Sequence, residues 1–407
     1  MPLLATSIAE LSATPPVRSA IEWFRRERAW INEQHLKLCR VPAPTFFEQK
    51  RATWMAESFR ALGWEARIDR AGNVIANLPG ERDRAAVAVT AHLDTVLAPR
   101  TPEEIKVTGD GSLLGPGVSD NGAGLAALLA LAAVWSAGEP IEDAPLAPVL
   151  IANVGEEGEG NLSGMRYLCR PRNGPGIRAF LVLDGPSLDH ITWQALASRR
   201  FDVSFTGPGG HSWSDFGTGN PVHALSRAVT IFADEVIQES SGARSSFNFG
   251  VIQGGASINS IPSEARAKVD LRSERMDRLE QMAALLASVV DRAVEIENSR
   301  SARGQQKNGS ISGRVREIGS RPGGGLRDDA PLLECIRAVD AHLGIRSHLD
   351  CSSTDANVPL SMGIPAISIG AGGQGGGAHT PSEWFQPERR ELGLQRILLA
   401  LCVMLGE

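Results

Sequence analysis

Three apolar stretches of this chain run directly into acidic side chains. "VAVTAHLD" ends at His92 and Asp94, "VLIANVG" at the neighbouring Glu156 and Glu157, and "AFLVLD" at Asp184. A fourth, "AISIG", leads through the glycine-rich "GAGGQGGGAHT" to His379. Adjacent carboxylates repel, and several anions can leave water together only if cations sit among them. No lysine lies in these motifs, so a divalent metal is the natural counter-charge. Mixed carboxylate and imidazole donors suit zinc, cobalt or manganese better than calcium or magnesium. Asp120, in "GPGVSDNGAG", stands where a buried helix begins. It reads either as a bridge between two metals or as a plain helix N-cap. In an extended turn neighbouring side chains diverge. One of Glu156 and Glu157 can therefore ligate while the other takes a proton from the attacking water.

The elements that must position these groups are legible from periodicity. Helices are expected over 17–39 and 45–62, then short strands "EARID" and "NVIANL", and the helix 121–137, apolar almost all round and hence buried. Strands apolar on both faces, alternating with helices, predict a mostly parallel sheet covered on both sides. In such a sheet the carboxyl ends of the strands share one edge, which is where these folds bind ligands. From about residue 197 the texture changes. "RRFDVSFTG" and "ARAKVDLRS" alternate strictly, amphipathic helices fit 221–238 and 275–297, and "SFNFGVIQGG" and "GRVREIG" read as strands. That β-α-β-β-α-β order is a ferredoxin-like plate. The first texture then returns, with helices at "PLLECIRAVDAHLG" and 387–405. The expected fold is therefore α/β. A three-layer catalytic domain (1–196 and 320–407) carries an inserted α+β ferredoxin-like lid or dimerisation domain (197–319). The polar segment "NSRSARGQQKNGS" reads as a mobile loop.

Bulk composition excludes several classes. At 407 residues, two domains are the prior. A formal net charge of −6 argues against nucleic-acid or anionic-membrane partners. The five scattered cysteines, Cys39, Cys169, Cys335, Cys351 and Cys402, form no CxxC and fit a reducing, cytoplasmic compartment. Cys169 and Cys351 read as buried apolar groups. The N-terminus shows no basic segment leading into a long apolar stretch, so no signal peptide is expected. The glycine run 370–377 lacks the Gly-Lys-Ser/Thr ending of a phosphate loop.

The chain resembles the dinuclear-zinc exopeptidases that include peptidase T, glutamate carboxypeptidase, acetylornithine deacetylase and succinyl-diaminopimelate desuccinylase. The resemblance is carried in order by "AHLDTV", "GVSDNGAG", "NVGEEGEGN", "VLDG", "GGHSW", "GGASINSIPSEARAKVDLRS", "SSTDANVPLSMGIPA" and "GGGAHTPSEW". It implies that His92 and Asp184 bind one metal, that Glu157 and His379 bind the other, and that Asp120 bridges both. It further implies that Asp94 orients the His92 ring, that Glu156 is the general base, and that His211 stabilises the oxyanion, in some relatives within the partner subunit's site. Asn259 and Arg272 match residues that hold the substrate, and a homodimer through the inserted domain is implied.

Two departures matter. Asn121 follows Asp120 where a second acid is frequent, and the fourth-strand ligand is Asp184 where the carboxypeptidases and deacylases usually show glutamate. Asp184 and "GSRPGGG" (319–325) resemble the aminopeptidase and dipeptidase branch, including peptidase T. The leading expectation is therefore a dizinc exopeptidase acting on small free-amine peptides. An N-acyl-amino-acid amidohydrolase or carboxypeptidase is the alternative within the same chemistry. A non-catalytic binding relative is the alternative from another class. Thr354 and Asp355 either line the pocket or shape a turn. His211, Asn259 and Arg272 each have a bland reading too: a turn residue, a turn residue and a solvated strand charge.

Overall fold

The computed structural model describes residues 2–138, 140–141, 144–170, 176–236, 244–301 and 309–406. The chain divides into two compact units, 1–195 with 324–407, and 196–323.

The first unit is built on a nine-stranded mixed sheet. Its centre is parallel: Ala147–Asn153, Ala86–His92, Ile177–Leu183 and Ala366–Ile369 run side by side in that order. Strands at both edges are antiparallel, among them Glu65–Ile68 with Val74–Asn77, and Gly324–Gly325 on His190–Ala195. The parallel sheet read from the sequence is thus its core, not its whole width. Alternation along each central strand sends side chains to two opposite layers. Val87, Val89, Ala91, Leu150, Ala152, Leu181, Leu183, Ile367 and Ile369 join one core with the helices Gln49–Ala61, Gly122–Ala137, Pro331–Leu343 and Arg390–Leu405. Ala86, Ala88, Val149, Ile151, Phe180, Val182 and Ala366 join the other, with Met165, Leu168, Val358 and Leu360. This produces the three-layer fold. The parallel register pairs His92 with Asn153 and Ile369 with Leu183, so the strands end on one common edge.

The second unit is an antiparallel four-stranded sheet ordered Ser245–Gly254, Glu264–Ser273, Ala197–Thr206, Ser312–Arg321. Phe201, Val203 and Phe205 are buried, and Glu264–Ser273 alternates between exposed and buried residues over its first half. The helices Pro221–Glu235 and Met276–Ser301 supply Leu225, Phe232, Met282, Leu286 and Val289 to the same core. The element order is that of the ferredoxin-like plate.

Several boundaries differ from the sequence reading. The N-terminal helix 17–39 is two helices, Pro15–Arg26 and Arg28–Cys39, which break at Glu27 (φ −96°, ψ 23°) and follow a further helix, Pro2–Ala13. The next helix starts at Gln49, not at 45, because Phe46 takes a left-handed φ of 76° and its N–H is accepted by the Glu48 side chain at 2.9 Å. The helix expected over 221–238 is described to Glu235, and 237–238 lie outside the described residues, as does 302–308 of the polar loop. Cys351 is only half-buried, whereas Cys169 is buried. Among the described residues no helix is long and apolar enough to cross a membrane.

Candidate metal centre

The strand ends deliver the acids to one place. Ligand atoms of His92, Asp120 and Asp184 all lie within 4.8 Å of one another, as do those of Asp120, Glu157 and His379, and those of His92, Glu156 and Glu157. Asp120 belongs to both of the first two groups. Its Oδ1 is 3.0 Å from His92 Nε2 and its Oδ2 is 3.2 Å from His379 Nε2. His379 Nε2 also lies 2.8 Å from Glu157 Oε1. Among the described residues no lysine or arginine forms an ion pair with Asp120, Glu157 or Asp184. The donor set therefore fits a divalent cation, with Asp120 common to two of the three groups.

Backbone geometry explains why these side chains converge. Asp94 is fully buried and holds the Glu156–Glu157 turn: its Oδ1 accepts from Glu156 N at 3.0 Å and its Oδ2 from Glu157 N at 2.9 Å. The Thr45 hydroxyl donates to the same Oδ2 at 3.0 Å. His92 Nδ1 sits 2.9 Å from the Asp94 carbonyl and 3.6 Å from its carboxylate, which points Nε2 at Asp120. Asp184 continues its strand by donating its N–H to Ile369 O at 3.1 Å. His379 takes a left-handed φ of 64° at the end of the glycine run. That run serves close packing. A Cβ at Gly370 would lie 1.8 Å from Ser187 O, and one at Gly375 would lie 2.8 Å from Ser119 Cβ.

The electrostatics are those of a crowded anionic site. Burial pushes the Asp184 carboxyl up to about 7, with the Asp120 charge adding to it. Hydrogen bonds to Asp120 and Glu157 push His379 up to about 10. Burial works against the His92 imidazolium, but hydrogen bonds to Asp120 and Asp94 outweigh it and hold it well above the usual range. Burial likewise opposes the Asp120 carboxylate, and His379 and His92 together hold it below its ordinary value.

The helix cap is Asn121, not Asp120. The Asn121 side chain accepts from Gly124 N at 3.2 Å and donates to Leu183 O at 2.8 Å, next to Asp184. This leaves the Asp120 carboxylate to the two histidines. Asp355 is buried and accepts from Asn153 Nδ2 at 2.6 Å, while the Thr354 hydroxyl accepts from Ala356 N at 3.2 Å. Thr354 thus shapes a turn, and Asp355 ties that turn to the end of the strand Ala147–Asn153. A further acid escaped the sequence reading: Glu383, buried, which binds the backbone of the Asp120 segment. Its only sequence signal was a lone glutamate in "GGGAHTPSEW".

The remaining expected residues lie in the second unit. His211 and Asn259 lie at a small two-stranded antiparallel ladder, in which His211 pairs with Ser260 and Ser212 N donates to Asn259 O at 2.9 Å. His211 Nδ1 accepts from Trp213 N and Ser214 N, each at 3.3 Å, and Asp215 Oδ2 accepts from His211 N at 2.7 Å. With Nδ1 engaged as an acceptor, the neutral ring carries its proton on Nε2 and presents a donor there. Arg272 sits on the sheet instead, its Nε bonded to Asp270 Oδ2 at 2.6 Å.

Known proteins share this arrangement of elements. The chain is 24% identical over 356 residues to the protein YqjE of Bacillus subtilis (strain 168), covering 84% of this chain and 89% of that one. It is 25% identical over 286 residues to the cytosol non-specific dipeptidase of Escherichia coli (strain K12), covering 60% of this chain and 54% of that enzyme. The crystal structure of the aminopeptidase PepT from Bacillus cereus ATCC 10987 superposes with a TM-score of 0.71 at 20% identity, covering 93% of this chain and 98% of that one. The profile of peptidase family M20/M25/M40 matches residues 88–401, a span that includes every strand end that carries an acid. The chain belongs to that family and is a hydrolase acting on peptide bonds.

Proposed function

We propose that this chain is a two-metal exopeptidase acting on small peptides with a free N-terminus. One observation carries the reading: a single carboxylate, Asp120, faces His92 with one oxygen and His379 with the other. In this reading His92 and Asp184 would hold one ion, Glu157 and His379 would hold the second, and Asp120 would contribute to both. Zinc suits the donors best. Two such ions would supply Lewis acidity to the scissile carbonyl and to the attacking water.

The chain's own groups do the rest. Glu156 accepts the proton of the attacking water and returns it to the leaving amine. Asp94 keeps Glu156 aimed by holding its amide, and keeps the His92 ring in register. His211 donates from Nε2 to the oxyanion of the tetrahedral intermediate. Asn259 and the Nη groups of Arg272 bind the peptide, the guanidinium as a fork for a carboxylate. Residues 197–319 act as a lid and pair two copies of the chain, which light scattering tests.

The preference for a free amine follows from Asp184 in place of glutamate, and from the dipeptidase and aminopeptidase among the relatives. The test uses metal-stripped protein reloaded with zinc, cobalt or manganese. It compares di- and tripeptides with the same peptides N-acetylated. Cleavage confined to the free-amine set supports the proposal, and cleavage confined to the acylated set assigns the chain to deacylation.

A further inference from the structure

Glu383 is a buried carboxylate that the proposed chemistry does not use. It is 2% exposed. Its side chain meets the backbone N–H of Gly117 at 2.7 Å, those of Ser119 and Asp120 at 2.8 Å each, and the Ser119 hydroxyl at 2.8 Å. Its own carbonyl accepts from Gly115 N at 2.8 Å. The following strand, Trp384–Gln386, then pairs with Leu113–Leu114. The stretch carrying His379 is thereby fastened along the stretch carrying Asp120.

The other edge of the Asp120 segment is held as well. His35 Nε2 lies 2.7 Å from Val118 O, and Cys39 Sγ lies 3.6 Å from Gly117 O. Arg390 can only donate, and it reaches His35 Nδ1. That nitrogen must therefore accept, which places the ring proton on Nε2 and makes it the donor to Val118 O. Each residue of 117–120 is thus held through at least one backbone group. The two Glu383 oxygens accept from three converging amides and a hydroxyl. Burying a carboxylate is unfavourable unless donors replace its water, and here four groups do.

We propose that Glu383 is a positioning residue: by gripping the amides of 117–120 it fixes Asp120 between His92 and His379, and so sets metal affinity rather than substrate binding. The inference rests on the reading of Asp120 as the shared ligand.

Glu383→Gln tests it, because the same shape then places an NH2 group against at least one of these N–H groups. In metal-free protein, amide exchange of a peptide spanning 115–121 should accelerate at least about tenfold, with the central strands unchanged. Zinc affinity, measured against a competing chelator, should fall about 10- to 100-fold. The kcat should drop at limiting zinc and recover at saturating zinc, with KM within about twofold of wild type. Wild-type exchange in 115–121, or wild-type zinc affinity, overturns the proposal. Should Glu383→Gln fail to fold, Ser119→Ala removes one of the four donors. It should weaken zinc binding about 2- to 10-fold, and unchanged affinity there overturns the proposal equally. Asp120→Ala, run in parallel, separates the two readings. If it binds zinc like wild type, the metal assignment itself fails. If it loses zinc while Glu383→Gln does not, only the positioning role fails.

Discussion

Replacing Asp94 by asparagine should weaken both the fold and the metal site, and the structure sets the size of each effect. The two carboxylate oxygens accept separately, Oδ1 from Glu156 N and Oδ2 from Glu157 N and the Thr45 hydroxyl, at 2.9–3.0 Å. Whichever way the new amide turns, its NH2 faces one backbone N–H. A buried N–H left without an acceptor costs about 1–3 kcal/mol. The surviving bonds change from charge-assisted to neutral, which takes away about 1 kcal/mol more. The expected loss is therefore about 2–4 kcal/mol. His92 simultaneously loses the carboxylate behind its Nδ1, so zinc affinity should fall about 10- to 100-fold. Urea titration of metal-free protein reads the first quantity and chelator competition the second. A variant within about 0.5 kcal/mol of wild type, binding zinc as tightly, would show that Asp94 does not hold the Glu156–Glu157 turn, and the assignment of that turn would fall with it.

Glu156→Gln should retain the wild-type metal content and lose kcat by about 10²- to 10⁴-fold; metal content and peptide turnover check it, and a near-normal rate would exclude Glu156 as the base. Hydrogen bonds to neighbouring carboxylates hold His379 and His92 well above the ordinary imidazole range, and burial pushes the Asp184 carboxyl up to about 7. A cation must displace these protons, so zinc affinity should rise with pH by about tenfold per unit for each proton released; calorimetry in two buffers of different ionisation enthalpy would count them, and no release would contradict the ligand set. Burial, with Arg390 alongside, holds His35 well below the usual range. The unfolded chain protonates His35 below about 6.5 while the folded protein does not, so stability is lost as pH falls, about 1.4 kcal/mol between pH 7.5 and 5.5. His35→Gln should remove that component, read as the difference between variant and wild-type urea curves at the two pH values.

The site was legible where apolar runs stop. A strand buried on both faces has no reason to end in His-x-Asp or Glu-Glu except at a functional edge, and the register of His92 with Asn153 and Ile369 with Leu183 places those ends together. The second unit was legible because Phe201, Val203 and Phe205 alternate cleanly. The edges of the first sheet were not, since short strands such as Glu65–Ile68 fit either direction. Asp120 and Asn121 are both good N-cap types, and sequence alone does not say which one closes the helix. The structure decides by giving Asn121 a second task, as donor to Leu183 O, that a carboxylate could not perform. Glu383 was invisible because its partners are backbone N–H groups more than 260 positions away, and no side-chain pattern records them.

The side-by-side glutamates illustrate how the site holds its charge. Their repulsion is met first by the backbone: successive N–H groups of Glu156 and Glu157 turn toward Asp94, a concave arrangement suited to an anion. Glu383 does the same for the segment of Asp120. Two acids that ligate nothing in the proposed scheme thus grip the amides of the base, Glu156, and of two ligands, Glu157 and Asp120. Side-chain rotamers alone would leave the ligands free to drift apart under their mutual repulsion. Anchoring them through the main chain removes that freedom, and it adds two further buried negative charges behind the cluster. The same device that orders the ligands therefore deepens the local negative potential, and a site built this way favours a dication over a proton or a single lysine as its counter-charge.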